Sequence, residues 1–236
     1  MRASTASFPA SSRPWPFLAW QLGVIVVVLA AVWNGPGWGS MWGAGIALLV
    51  GWLEPRRWHV ALGLRKRVDW RRVVLFGLVA GLVQLLLVKV VLTPMIEHLT
   101  GQRRDLSMFD HLRGNWHALF AMLPIVWVSA GFCEEVVFRG IVLGRLRMAL
   151  GGSRIATAAA VVASCIVFGL AHGYQGLAGW ILTGILGGVL ALIYVLSDYC
   201  LWYGIALHLV YDTLATASIT LGYDRTLAAW GAHLFG

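Results

Sequence analysis

Three short stretches of this 236-residue chain place ionisable side chains inside apolar runs. They are Glu134, Glu135 and Arg139 in CEEVVFRG, His172 in VFGLAHG, and His208 with Asp212 in ALHLVYD. Carboxylates and imidazoles in one place suit general acid/base hydrolysis. A carboxylate beside a histidine can take a proton from water, and an imidazole N–H can stabilise the oxyanion that forms. The reading preferred here needs no cofactor, because a glutamate and two histidines suffice for both tasks. If a divalent metal such as zinc were used instead, Glu134, His172, His208 and Asp212 would be its ligands, since histidine and carboxylate are ordinary zinc ligands.

Helical spacing sorts these residues into faces. Residues four apart share a face, so Glu135 lies beside Arg139, Phe168 beside His172 and His208 beside Asp212, while Glu134 points about 100° away from Glu135. Glu135 and Arg139 therefore read as an ion pair that fixes the helix orientation, leaving Glu134 to meet other helices. Depth agrees with this. Counted from a turn at Gly151 and Gly152, Glu134 lies about 26 Å and His172 about 30 Å along their helices, and His208 reaches about 12 Å past a turn near Cys200. The chain just after His172 must then turn within the membrane, which requires that it be buried or line a wet cavity.

The elements that hold these residues follow from composition. The chain is 59% hydrophobic and 12% charged, with a mean hydropathy of +0.78. A soluble domain carries about 25% charged residues, so a soluble globule is excluded and the fold class is an all-α polytopic membrane bundle. Seven helices are predicted, over residues 17–33, 38–53, 73–93, 116–147, 155–172, 177–196 and 201–221. This organises the chain as a disordered tail at 1–16, N-terminal transmembrane helices at 17–115, a catalytic helical core at 116–221 and a C-terminal tail at 222–236. The apolar end of that tail is too short to cross and reads as an interfacial or re-entrant piece.

Charge supports a membrane rather than a nucleic acid. The 18 basic residues against 10 acidic ones give a net charge of +8. Loop position accounts for it: Arg2, Arg13, seven basic residues between 54 and 72, and Arg145, Arg147 and Arg154 mark one side, against Arg103, Arg104, Arg113 and Arg225 on the other. Because cytoplasmic loops retain Lys and Arg, the N-terminus is expected in the cytoplasm and the C-terminus outside, in a plasma membrane of bacterial type. Lys89, near the outer end of its helix, is expected to snorkel to the interface. Most of the 13 tryptophans fall near helix ends and read as an interfacial belt. Gly39/Gly43, Gly77/Gly81, Gly140/Gly144 and Gly184/Gly188 carry the spacing that lets helices approach closely. Cys133, Cys165 and Cys200 form no framework, and Cys133 reads as a small buried apolar residue.

Charges inside the spans demand an explanation. On insertion scales each costs about 2.5–3.5 kcal/mol at mid-bilayer, so Glu134, Glu135, Arg139 and Asp212 left unpaired would cost roughly 10–14 kcal/mol. That rivals the whole stability of a typical domain.

At these residues the sequence resembles the CPBP family, the CAAX prenyl protease and bacteriocin-processing group of intramembrane proteases. The family signatures E-E-x-x-x-R, F-x-x-x-H and H-x-x-x-[ND] appear in order at Glu134, Glu135 and Arg139, at Phe168 and His172, and at His208 and Asp212. The resemblance covers about residues 116–215. It implies an endopeptidase in which Glu134 and His172 activate water while His208 and position 212 face the oxyanion. The candidate catalytic set is Glu134, Glu135, His172, His208 and Asp212, with Arg139 pairing Glu135 and Phe168 packing the pocket. Eukaryotic prenyl proteases of this type carry Asn at the last position. Asp212, as an anion, cannot donate a hydrogen bond, so it must be protonated, orient His208 or bind a metal.

The implied partners are a peptide or protein substrate and the lipid bilayer. Two other classes compete: a transporter that uses the same groups as a proton or ion relay, and a non-catalytic membrane protein serving bacteriocin immunity or scaffolding. No inverted repeat supports the first.

Overall fold

The computed structural model describes residues 15–35, 38–54, 63–64 and 67–235, and the described residues form helices and turns without strands. The elements are α1 (Trp15–Asn34), α2 (Gly39–Leu53), α3 (Trp70–Thr100), α4 (Trp116–Ala149), α5 (Arg154–Ala171), α6 (Gly176–Leu196), α7 (Leu201–Leu221) and α8 (Tyr223–Phe235). Six helices are long and apolar enough to cross a membrane, one of them counted from Gly173, while α2 is apolar but only 15 residues long. The expected tail through residue 14, the basic residues Arg2, Arg13, Arg56, Arg57, Arg65 and Lys66, and Trp58 and His59 lie outside the described residues.

Local chemistry sets the helix ends. The Asp69 side chain accepts from the backbone N–H of Arg71 and Arg72, so α3 starts at Trp70 rather than Val73. It runs beyond the expected Thr93 to Thr100, where Gly101 adopts φ 64. Asn115 and Ser153 cap α4 and α5 by accepting from Ala118 and Ala156. Beyond residue 221 the chain is not a simple tail: Gly222 turns it into α8, which packs on α3.

The largest departure from the expected geometry is in α4. Residues Trp127–Leu143 form a π-helical segment, with the Gly144 N–H reaching the Arg139 carbonyl five residues back. Side chains here are spaced more widely than α-helical arithmetic assumes. Residues 135–143 are all buried, so this stretch has no solvent or lipid face and forms the centre of the bundle. It contacts α1, α2, α5, α6 and α7. A second π-helical turn, Leu87–Leu92 in α3, directly precedes Thr93 and Pro94.

Two of the glycine pairs perform the close approach expected of them. A Cβ on Gly77 would lie 2.8 Å from the Ala206 Cβ and 3.0 Å from its backbone, and one on Gly81 would lie 2.6 Å from Val210. Gly39 and Gly43 sit equally close to Val32. Gly77→Leu is therefore expected to push α3 off α7 and destabilise the protein by about 1–3 kcal/mol, read as an earlier midpoint in an SDS unfolding titration. An unchanged midpoint would show that this contact does not hold the helices together.

Arg145 does not project into solvent with its neighbours. It is 1% exposed, and its guanidinium donates to Gln21 Oε1 at 2.8 Å and to Glu54 Oε1 at 2.9 Å, tying α4 to α1 and to the end of α2. Arg147 packs over the Tyr199 ring at 4.5 Å.

Candidate active site

Glu135 and Arg139, both 0% exposed, pair as the spacing predicted, with Nη1 to Oε1 at 2.9 Å. The pair does more than fix one helix. The same Glu135 oxygen lies 2.9 Å from His208 Nδ1, and Arg139 Nη2 donates to the Gly187 carbonyl at 3.1 Å. Helices α4, α6 and α7 thus meet in one buried network. Room for it comes from glycine: a Cβ on Gly204 would stand 2.9 Å from Glu135 Oε2.

Phe168 on α5 packs inside this network. Its ring lies edge-on to Phe138 at 4.9 Å, against His172 at 4.7 Å and His208 at 6.4 Å, with the Arg139 guanidinium over it at 4.4 Å. Packing was the role expected of it, and Gly187 leaves the space, since a Cβ there would lie 2.8 Å from the ring.

The hydrogen bonds assign the histidine tautomers. His172 caps α5, and its Nδ1 lies 2.9 Å from the Phe168 carbonyl oxygen, which can only accept. Nδ1 therefore carries the proton and Nε2 is left with a lone pair, the arrangement of a base. His208 Nδ1 faces the Glu135 carboxylate, so it too donates there. The other ring nitrogen, Nε2, stands 3.5 Å from Asp212 Oδ2 and 4.0 Å from Glu134 Oε2. In its imidazolium form His208 carries a second proton on Nε2, and only then can that nitrogen donate.

Glu134, His172, His208, Asp212 and Phe168 line a single cavity of about 1060 Å³, counted out to its open mouth. Glu134 Oε2 is buried and, among the described residues, has no hydrogen-bond partner. The turn after His172 does line this cavity through Tyr174 and Gln175. The donors named for a metal are not assembled as a ligand set: among the described residues no three His, Cys, Asp or Glu side chains are placed to hold an ion. The committed imidazole nitrogens are both Nδ1, on the Phe168 carbonyl and on Glu135, which leaves both Nε2 atoms open to the cavity.

Several cavity residues escaped the sequence reading. Lys89 lines the cavity and is 8% exposed, so it does not snorkel to an interface. Its signal was present, an ionisable group within a span. Arg104 also lines the cavity, held by its Nε to Gln175 Oε1 at 2.7 Å, and nothing in its loop sequence announced that. Trp38 also lines the cavity rather than serving only as part of a belt.

The segment between α3 and α4 is tied down over this region. Asp105 N–H donates to the Gln175 carbonyl at 3.0 Å, and the Asp105 carboxylate accepts from Ser107 N–H, which holds its pKa below the ordinary value. Arg113 bridges Asp224 at 3.0 Å and Asp110 at 3.0 Å, and these hydrogen bonds, Asp224 first, hold it more firmly protonated.

Comparison with protein families matches residues 115–214 to the Rce1-like type II CAAX prenyl endopeptidase family. No curated protein and no solved structure matches the chain. The matched span contains α4 to α6 and most of α7, and with them every member of the polar network around Glu135. Residues 115–214 are a Rce1-like type II CAAX prenyl endopeptidase family domain.

Proposed function

We propose that the chain hydrolyses peptide bonds of a membrane-associated peptide or protein, using a water activated by Glu134 and His172. The observation that carries this reading is the shared cavity, in which the uncommitted Glu134 oxygen and both histidines face one space. Glu134 takes the proton as water attacks the carbonyl carbon, and the His172 Nε2 lone pair accepts a hydrogen bond that orients this water. The negative charge that develops on the carbonyl oxygen is met by His208 as imidazolium, donating from Nε2. Glu135 acts one step back as a positioning residue: its bond to Nδ1 fixes the ring that faces the oxyanion. On collapse, the proton held by Glu134 passes to the leaving amine. The protein would do this in a plasma membrane with its N-terminus on the cytoplasmic side, as the loop charges favour.

In this reading Asp212 orients His208 from the Nε2 side, 3.5 Å away. An amide of the same shape can also point a donor at the oxyanion. Asp212→Asn is expected to keep kcat/KM within about tenfold of the parent, while Asp212→Ala loses about a hundredfold or more, because His208, the oxyanion donor, is no longer oriented. The assay is cleavage of a fluorogenic peptide by purified protein in micelles. An inactive Asn variant beside an intact fold would sink this role and require a carboxylate at 212. Absence of any cleavage by the parent protein across a peptide library would sink the proteolytic reading itself.

A further inference from the structure

Lys89 is a charge that hydrolysis leaves unused. Its side chain is 8% exposed and lines the cavity, and among the described residues no hydrogen bond or ion pair holds it. A buried ammonium without a partner is costly, and within a span such a group marks a ligand site. The local backbone explains its position. Lys89 sits on the π-helical turn Leu87–Leu92 ahead of Pro94, and α8 packs against this turn so closely that a Cβ on Gly231 would meet Pro94 Cγ and the Val90 carbonyl.

Arg104 supplies a second positive charge to the same cavity. Its backbone N–H donates to Glu97 Oε1 at 2.8 Å, and its Nε donates to Gln175 Oε1 at 2.7 Å. Gln175 is neutral, so this bond aims the guanidinium without cancelling it. Among the described residues no carboxylate is ion-paired with either cation, and Glu97 meets Arg104 at its backbone N–H. Glu134 and Asp212 gather around His208, and Asp224, whose field reaches Lys89, is ion-paired with Arg113 at 3.0 Å. Lys89 and Arg104 thus bring two cations without a carboxylate partner to the cavity that the acids and imidazoles also line.

We infer that Lys89 and Arg104 form an anion subsite that takes a carboxylate of the peptide, either its C-terminus or an acidic side chain, and so sets which bond is presented to Glu134. This rests on the proteolytic reading above only for the presentation of a bond; the subsite itself is a binding property. Charge-assisted hydrogen bonds in a shielded cavity are worth about a tenfold preference or more over a neutral isostere.

The test is an affinity selection from a mass-encoded pool of apolar hexapeptides. Half end in a free carboxylate and half in a carboxamide, and one internal position carries Glu or Gln. The full chain in detergent micelles is incubated with the pool, and retained peptides are read by ultrafiltration and mass spectrometry. The parent protein is expected to enrich the carboxylate form over its neutral partner about tenfold or more. Lys89→Met and Arg104→Gln should each bring that ratio toward one, and Arg104→Lys should keep most of it. Enrichment that follows the terminus or the internal Glu names the source of the carboxylate. Equal retention by the parent, no retention of either form, or a ratio unaffected by both neutral variants overturns the subsite. So does equal loss in Arg104→Gln and Arg104→Lys, which would assign the effect to packing. If Lys89→Met does not fold, the Arg104 variants, outside the spans, carry the test. Shortened peptides in the same pool report proteolysis separately. Preference without cleavage removes the proteolytic reading and keeps the subsite, and cleavage without preference does the reverse.

Discussion

Glu134→Gln is expected to lower the kcat for peptide cleavage by roughly a hundred- to ten-thousandfold, the range assigned to a general base, with the fold intact. The substitution keeps the shape of the side chain and removes only its capacity to take a proton. Glu134 makes no hydrogen bond that the structure depends on, and its Oε2 has no partner among the described residues, so stability should change little. The measurement is turnover of a fluorogenic peptide alongside an SDS unfolding titration. More than a tenth of the parent activity in a folded variant would remove Glu134 from the chemistry. It would also revive the non-catalytic reading, in which the polar network serves only the fold.

Arg139→Met should act in the opposite way, on the fold first. Arg139 and Glu135 are both fully buried, and removing one member leaves the Glu135 carboxylate without its countercharge. Breaking a buried pair from one side costs about 3–5 kcal/mol, and here the His208 ring at 2.9 Å from the same Glu135 oxygen offsets part of it. Replacing both, as Glu135→Gln with Arg139→Met, should recover much of that stability, because no uncompensated charge remains. Activity should not return with it, since the acceptor that fixes His208 Nδ1 has been changed. A double variant no more stable than the single one, or a single variant costing less than about 1 kcal/mol, would show that the pair is not coupled in this way.

How far the sequence carried can be judged from particular residues. Apolar run length set six of the seven predicted helices near their observed positions, because hydrophobic length is a local property that the bilayer imposes. The Glu135–Arg139 pair was readable from spacing within one helix, and it persists although the turn there is wider than assumed. The contact between Glu135 and His208 was not readable, since the two are 73 residues apart and meet only when α4 and α7 pack. Lys89 carried a signal that admitted two directions, outward to headgroups or inward to a cavity. Its position on the π-helical turn, braced by α8, settles the direction inward. Arg145 likewise read as a loop charge, and only the placement of Gln21 and Glu54 on other helices draws it inside.

The intrahelical character of the Glu135–Arg139 pair bears on how the protein is made. Both charges lie on α4, one turn apart, so they neutralise each other as soon as that helix forms, before any neighbour arrives. The segment can enter the lipid as a single element whose largest electrostatic penalty is already reduced. His208 joins the pair only when α7 packs on α4, so pairing of the two charges within one helix and assembly of the polar network among α4, α6 and α7 are separable steps.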